Sequence, residues 1–275
     1  MVRWVLMLAL VPQAAAVSGP TPELGAAQIM ARVAANQTQA EKRRSQYVYR
    51  QQILIRSLKT NRKLMAEESA DYRLIPTANG TNREMMHLRG RYWRKGGYIV
   101  FDKKPVTNSL DCELVEDLRW NITSRHSKDS LARDLFPLSR AEQRKYRFKL
   151  LGEETFDGRK VYRLRFAPKD KNKYTWAGAT LVDAQEFEPV SIYTRLARRL
   201  PFAVRTLLGT NFPGLGFNVD YQRLAKGVWF PQSFGTEFGV RVLFFFNREI
   251  TISGEDSGFE RTHVNSRVLG YKPST

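Results

Sequence analysis

The sequence predicts an α+β protein, a long antiparallel meander that follows one amphipathic helix and is interrupted by a helical stretch. Three observations lead there. From Lys145 to Leu196, apolar and charged residues alternate with period two on both sides of Asp157-Gly158, the strongest short-range hairpin signal a sequence carries. Near the start, Ala26, Ile29, Met30 and Val33 fall at helical spacing. Towards the end, ten aromatic residues lie between Phe212 and Phe246, a density that suits strands and apolar interiors.

The first segment reads as a leader. Arg3 precedes an apolar run from Trp4 to Val11, too short to span a bilayer, and Ala14 and Ala16 form a small-residue cleavage pattern. Residues 1–16 are therefore expected to be a signal peptide, the alternative being an uncleaved N-terminal anchor. A single domain is expected over 17–260, with a helical insertion near 108–144 and a polar tail over 261–275. Export excludes most nucleic-acid partners. The lone cysteine, Cys112, leaves an exported chain without an internal disulfide. The formal charge is +18, and losing Arg3 leaves +17. Anionic headgroups would answer that charge. So would a merely solvated basic sheet, because Arg and Lys are spread along most strands.

Thr21-Pro22-Glu23 is a helix start, with Thr as cap and Pro in the first turn, so the helix is expected over 22–36, with Lys42-Arg43-Arg44 at the junction that follows. From Ser45 the period becomes two: Tyr47, Tyr49, Ile53 and Ile55 alternate with Arg50, Gln52 and Arg56. Further strands are expected over 62–75 and 83–93, with turns at Asn61, Asn79-Gly80 and Gly96-Gly97. From Tyr98 to Arg144 the pattern is helical, with Leu110, Leu114 and Leu118 among Asp111, Glu113, Glu116 and Asp117; those acids read as a solvated helix face rather than a calcium site. Strands follow over 146–150, 162–166, 176–183 and 190–196. A basic apolar stretch, 196–214, reads as a short helix or lid loop. Strands at 217–222, 228–238 and 240–252 complete the meander, with structure ending near Phe259.

Register tests the Asp157-Gly158 turn. A strict two-residue loop would put Tyr146, Phe148 and Leu150 on the opposite face from Tyr162, Leu164 and Phe166. A three-residue loop with Gly158 left-handed is therefore expected; a bulge at Leu150-Leu151 would serve equally.

No convergent set of catalytic groups emerges. His87, His126 and His263 lie far apart in different kinds of segment. Glu255-Asp256-Ser257-Gly258 echoes a protease nucleophile stretch, but Phe259 replaces its second glycine. There is no G-x-S-x-G, phosphate loop or H-E-x-x-H. The reading is of a non-enzyme with no cofactor and no metal.

Three stretches carry a family likeness: GEETFDGRKVYRLRF over 152–166, WAGATLVDAQEFEPVSIYTRL over 176–196 and YQRLAKGVWFPQSF over 221–234. With the order of leader, helix, meander, insertion and aromatic meander, they resemble the LolA/LolB-like periplasmic lipoprotein carrier superfamily, of the outer-membrane lipoprotein-sorting type. The resemblance implies a strongly curved antiparallel sheet, an unclosed half-barrel with helices covering its concave face. It also implies acyl chains, of lipid or lipoprotein, held between sheet and helices. Candidate lining residues are then Ile29, Met30, Val33, Tyr47, Tyr49, Phe148, Leu164, Phe217, Phe230 and Phe234. Arg50, set inside an apolar alternation, is the candidate polar anchor. No family arginine aligns, so no binding residue is carried over. No cysteine stands directly after the leader's apolar run, which argues for a soluble carrier or sensor rather than a lipid-anchored receptor. Two alternatives remain: a periplasmic sensor or protein-interaction module on the same scaffold, and a small outer-membrane β-barrel.

Overall fold

The computed structural model describes residues 24–77, 80–107, 109–123, 136–170, 176–196, 216–242 and 246–262. Outside them lie the expected leader, the expected helix start at Thr21-Pro22-Glu23, the Asn79 end of its turn, the 197–214 stretch, His126, His263 and the end of the tail.

Helix α1 (Ala26–Arg44) is followed by strands β1 (Tyr47–Leu58), β2 (Leu64–Thr77), β3 (Gly80–Arg94) and β4 (Gly97–Phe101). Helices α2 (Leu110–Thr123) and α3 (Arg140–Gln143) come next. Strands β5 (Tyr146–Phe156), β6 (Arg159–Pro168), β7 (Trp176–Asp183), β8 (Pro189–Leu196), β9 (Gly216–Ala225), β10 (Val228–Val242) and β11 (Phe246–Arg261) complete the chain. The strands form one antiparallel sheet in the order β4-β3-β2-β1-β11-β10-β9-β8-β7-β6-β5. It is an unclosed half-barrel with β4 and β5 as its edges, not a closed β-barrel. Two meanders, β1–β4 and β5–β11, are joined by the pairing of β1 with β11, from Tyr47↔Arg261 to Leu58↔Glu249.

One row of inward side chains crosses ten strands: Leu150, Leu164, Thr180, Ile192, Val219, Phe234, Gly254, Ile53, Ala70 and Leu88. A Cβ on Gly254 would lie 2.1 Å from the Phe234 ring, so a glycine there lets that ring lie across the central strands. Helix α1 and the 136–138 segment cover the β5–β10 half, over a core of Ile29, Met30, Val33, Phe136, Leu164, Phe166, Ile192 and Trp229. Helix α2 covers the other half, over Ile53, Ile55, Tyr72, Leu74, Tyr92, Ile250 and Ile252. Phe234 packs against both clusters.

Several expectations shift. Helix α1 starts after Gly25 and runs to Arg44, well past Asn36, because Lys42, Arg43 and Arg44 suit the negative end of the helix dipole. Arg43 Nη1 donates to the Gly227 carbonyl at 2.8 Å, and Arg44 Nη1 to that of Trp229 at 3.2 Å, so the basic run is a helix end tied to the β9–β10 turn. The β4 strand was not expected: Tyr98-Ile99-Val100 has no alternation, because these side chains are exposed on both faces of an edge. Strand β10 passes through Gly239 to Val242, so Gly239 is not a break between strands. Strand β11 runs on to Arg261 because β1 pairs with it from Glu249 to its end.

The Asp157-Gly158 loop has two residues, both left-handed (φ 48° and 72°), with Phe156 opposite Arg159. The expected three-residue loop is replaced by the other device, a register shift between Leu150 and Gly152. Leu151 bulges out, and Phe148 faces Phe166 and Leu150 faces Leu164. Deleting Leu151 should remove the bulge and turn Tyr146, Phe148 and Leu150 to solvent. At roughly 1.5–3 kcal/mol for each such side chain, the expected loss is several kcal/mol, read from the midpoint of urea denaturation.

Candidate functional site

The site builds on how each helix is fastened. Helix α1 is held by an apolar stripe and by neutral or backbone contacts. Ile29 and Val33 have no exposed surface and Met30 almost none. Asn36 Nδ2 donates to the Glu186 carbonyl at 2.7 Å, Gln37 Nε2 to Glu188 Oε2 at 2.9 Å, and Gln143 Nε2 to the Met30 carbonyl at 2.8 Å. Burial works against the Glu186 charge, but hydrogen bonds from Arg223, Trp229 Nε1 and the Gly227 amide overcome it and hold its pKa at about 2. That carboxylate binds the β7–β8 turn to the β9–β10 turn beneath the end of α1.

Helix α2 is fastened by charge. Arg248 on β11 donates from Nε (2.6 Å) and Nη2 (2.9 Å) to the two oxygens of Asp111, and Ser57 Oγ donates to Asp111 Oδ1 at 2.6 Å. Nearer its C-terminal end, Arg119 Nε donates to Glu68 on β2. All four charged side chains are at least 88 % buried. Burial raises the Glu68 carboxyl, and the charge of Arg119 opposes it. Asp111 is therefore a buried clamp and not part of a solvated face; Glu113 and Asp117 are exposed, and Glu116 pairs with Lys104 at 3.0 Å. Burial also pushes the Cys112 thiol up to about 11, which makes it a packing residue beneath α2.

A cavity of about 780 Å³ opens beside α2, between β3 and the 102–105 segment. Met85, Met86, Leu88 and Pro105 give it apolar surface; Arg89, Lys103, Lys104, Arg119, Glu68, Asp71, Asp102 and Glu116 give it charge. Arg119 and Lys104 are spent on Glu68 and Glu116, whereas Arg89 and Lys103 have no ion-pair partner among the described residues. A second cavity, about 620 Å³, lies over β1–β3 and the end of β11, lined by Arg50, Gln52, Arg73, His87 and Glu255 among others.

The sequence-derived candidates divide accordingly. Ile29, Met30, Val33 and Leu164 lie inside the α1 core, with Phe148, Phe217 and Phe234 packed against it. Tyr47, Tyr49 and Phe230 meet in an aromatic group, with ring centroids 5.4 and 5.6 Å from Phe230, and Phe259 closes it at 4.7 Å. Arg50 and Tyr49 line the second cavity, and none of the eleven candidates lines the first. Sequence reading missed Met85, Met86, Leu88 and Lys103. The adjacent pair Met85-Met86 in an otherwise polar strand was the available signal, because flexible thioethers suit adaptable binding surfaces.

In solved structures, the chain is similar to a putative outer membrane lipoprotein-sorting protein domain from Vibrio parahaemolyticus, at 11% identity over 86% of this chain and 95% of that one, TM-score 0.37. It is also similar to a DUF1329 family protein from Desulfovibrio piger, at 14% identity over 88% and 95%, TM-score 0.38. A LolA superfamily protein from Nitrosomonas europaea matches at 14% identity over 90% and 99%, TM-score 0.32. No family model matches the chain, nor does the sequence of any curated protein. Likeness at these scores lies in the layout of strands and helices, and the chemistry must come from this chain's own residues. No helix of the described residues is long and apolar enough to cross a membrane.

Two buried acids give the fold a pH dependence. Burial raises Glu188 from 4.5 to about 7, against the pull of Arg44 and the Gln37 hydrogen bond. Burial likewise raises Asp256 from 3.8 to about 7, against the Gln51 hydrogen bond and Arg83. Below about pH 7 the folded protein holds protons that the unfolded chain has already lost. Stability therefore falls as pH rises from the ordinary carboxylate range to about 7, and the full cost persists above it. Glu188→Gln should stabilise the protein at pH 8, by on the order of 3 kcal/mol, and change little near pH 4; thermal denaturation at both pH values checks this. Removing one partner of the α2 clamp, as in Asp111→Ala, should cost about 3–5 kcal/mol. It should also speed hydrogen exchange in α2 before the β5–β10 half.

Proposed function

We propose that this chain is an exported, non-enzymatic carrier that binds an amphiphile through its acyl chain, a lipid or the acyl group of a lipoprotein. The observation that carries the reading is the cavity beside α2. Its volume falls within the usual range for small-ligand sites, about 300–1,000 Å³. Met85, Met86, Leu88 and Pro105 offer an adaptable apolar surface, and affinity for a hydrocarbon chain grows by about 0.8 kcal/mol per buried methylene. Arg89 and Lys103 at the same cavity suit a carboxylate or phosphate end. The leader read at residues 1–16 places such a carrier in the periplasm or cell envelope.

The α2 clamp supports the same reading. A helix seated by ion pairs returns to one position after each excursion, whereas an oily stripe alone tolerates slippage. Lifting α2 would join the cavity to the apolar cluster below, where Leu114, Leu118 and Ile122 lie partly buried.

A second reading has its own observation. Strand β4 pairs only with Gly90–Arg94 of β3. The remainder of β3, from Gly80 to Arg89, has no described strand on that side, and Met85 and Met86 are half exposed there. An open edge can receive a partner's strand, which fits a sensor or protein-interaction module.

Delipidated protein should take up a fluorescent palmitate analogue saturably, and Leu88→Glu should weaken uptake about tenfold or more by placing a charge against the chain. Absence of saturable uptake by the wild type would overturn the carrier reading. Recovery of one stoichiometric protein partner, lost on Met86→Pro at the open edge, would favour the second.

A further inference from the structure

Period-two alternation sends most strand charges to the outer face. On β1–β3 some outer bases meet an acid: Glu67 pairs with Arg56 and, at 3.2 Å, with Arg91, while Arg50 lies opposite Arg73 and neither has an ion pair among the described residues. Arg62 at the β1–β2 turn reaches Glu237 and Glu249 at 3.0 and 3.2 Å. On β5–β8 the bases gather into one array. Lys149 lies directly opposite Arg165, with Arg147 beside them on β5, Arg163 on β6 and Arg195 two strands further on β8. All five are exposed. Arg163 reaches Glu154 at 3.5 Å, while Arg147, Lys149, Arg165 and Arg195 have no ion pair with any described residue. Beyond β6 the acids are engaged elsewhere: Asp183 on β7 pairs with Arg159 at 2.7 Å, and Asp220 on β9 is held by Ser191, Asn218 and Ser233. Like charges directly opposite one another destabilise a sheet, so folding gives no reason for the Lys149–Arg165 pair.

The surface between these bases is low. Ala167, Ala177 and Ala179 occupy the outer positions of β6 and β7, and Tyr193 stands beside them 54% exposed. We infer that the outer face of β5–β8 docks on an anionic phospholipid surface. A plane of unpaired cations over alanines matches a plane of headgroups, and a half-exposed tyrosine suits the interfacial layer. Single-stranded nucleic acid is a poorer fit, because sheet readers stack successive bases on several neighbouring aromatics, and among the described residues of β5–β8 the exposed aromatics are Tyr193 and, at the far end of β5, Phe156. Preference for a membrane over an acidic protein rests on the lipid-carrier reading; the charge array itself does not. Docking by this face would leave α2 and its cavity, at the other end of the sheet, free to exchange ligand.

Co-sedimentation of the full mature chain with vesicles tests it. Binding is expected to phosphatidylcholine vesicles containing about 30% phosphatidylglycerol, to be absent with phosphatidylcholine alone, and to be abolished at about 0.5 M NaCl. The double variant Lys149→Glu/Arg165→Glu should bind at least about tenfold more weakly. The variant Lys59→Glu/Arg73→Glu, which carries the same charge change on the β1–β2 side, should bind within about twofold of wild type. Both variants should keep their far-ultraviolet circular dichroism and their palmitate uptake. Equal losses in the two variants would show a response to net charge only and overturn the assignment. So would failure of the wild type to bind anionic vesicles, or tighter binding to a single-stranded oligonucleotide or an acidic protein than to vesicles. Vesicle binding with the expected variant pattern, in a protein that takes up no palmitate, would sustain the docking face and reject the carrier reading instead.

Discussion

Everything in this fold depends on the pairing of β1 with β11. Every other neighbouring pair of strands is also adjacent in sequence, so each can form by local hairpin closure or a short return. This one brings residues 47–58 against 249–261, and without it the chain would be two meanders, each with a greasy face and an open edge. The row through Phe234, Gly254 and Ile53 shows what the pairing achieves. One aromatic ring lies across a glycine and makes two hydrophobic clusters continuous. Because side chains alternate, a slip of one residue at this seam would move Ile53, Ile55, Ile250 and Ile252 to the outer face together. The register is therefore strongly specified, and the late arrival of β11 makes it a non-local, slow step by contact-order reasoning.

The two helices inherit different tasks from that seam. Helix α1 sits entirely within the second meander's territory and is fixed by core packing and by hydrogen bonds to turn carbonyls. Helix α2 reaches across the seam, with Arg119 on β2 and Asp111 on Ser57 of β1 and Arg248 of β11. Buried ion pairs add little net stability over apolar residues of the same size, yet leaving one partner unpaired is costly. Such pairs serve best where a helix must return to one seat. A cavity opens beside α2, whereas the inward stripe of α1, Ile29, Met30 and Val33, is enclosed in core.

Much of this was legible. The alternations of Tyr146–Leu150 and Tyr162–Phe166, with the doubled Leu150-Leu151, contained the register problem and one of its solutions. The stripe of Ile29, Met30 and Val33 marked a helix that must be covered. The illegible parts are those that depend on distant partners. Asp111 looks like its acidic neighbours until Arg248 is brought to it from 137 residues away. Glu255 to Gly258 look like polar tail until Gln51 faces Asp256 across the seam, 2.8 Å from donor to acceptor. The cavity is hardest of all, because its apolar residues come mainly from β3 around a bulge at Met86 and its charges from β2, β3, α2 and the segment after β4 together. Composition separates neither a packed core from a hollow nor an edge from a centre.

Leu151 shows how closely the two faces are coupled. The bulge keeps Leu150 in the inner row, and by the same displacement it keeps Lys149 on the outer face opposite Arg165. Beyond it the strand continues with Glu153 and Glu154, and Glu154 partly neutralises Arg163. Without the extra residue, Lys149 would point into the core that Phe166 and Ile192 fill. A register chosen only for packing could have placed any small polar residue at 149 and 165, and a pair such as Thr–Thr would have stabilised the hairpin. Instead the inner row, which the fold requires, carries on its reverse a row of like charges that the fold does not require. Arg147, Lys149, Arg165 and Arg195 meet no acid among the described residues, and their gathering over alanines is best understood as a demand made by something outside the molecule.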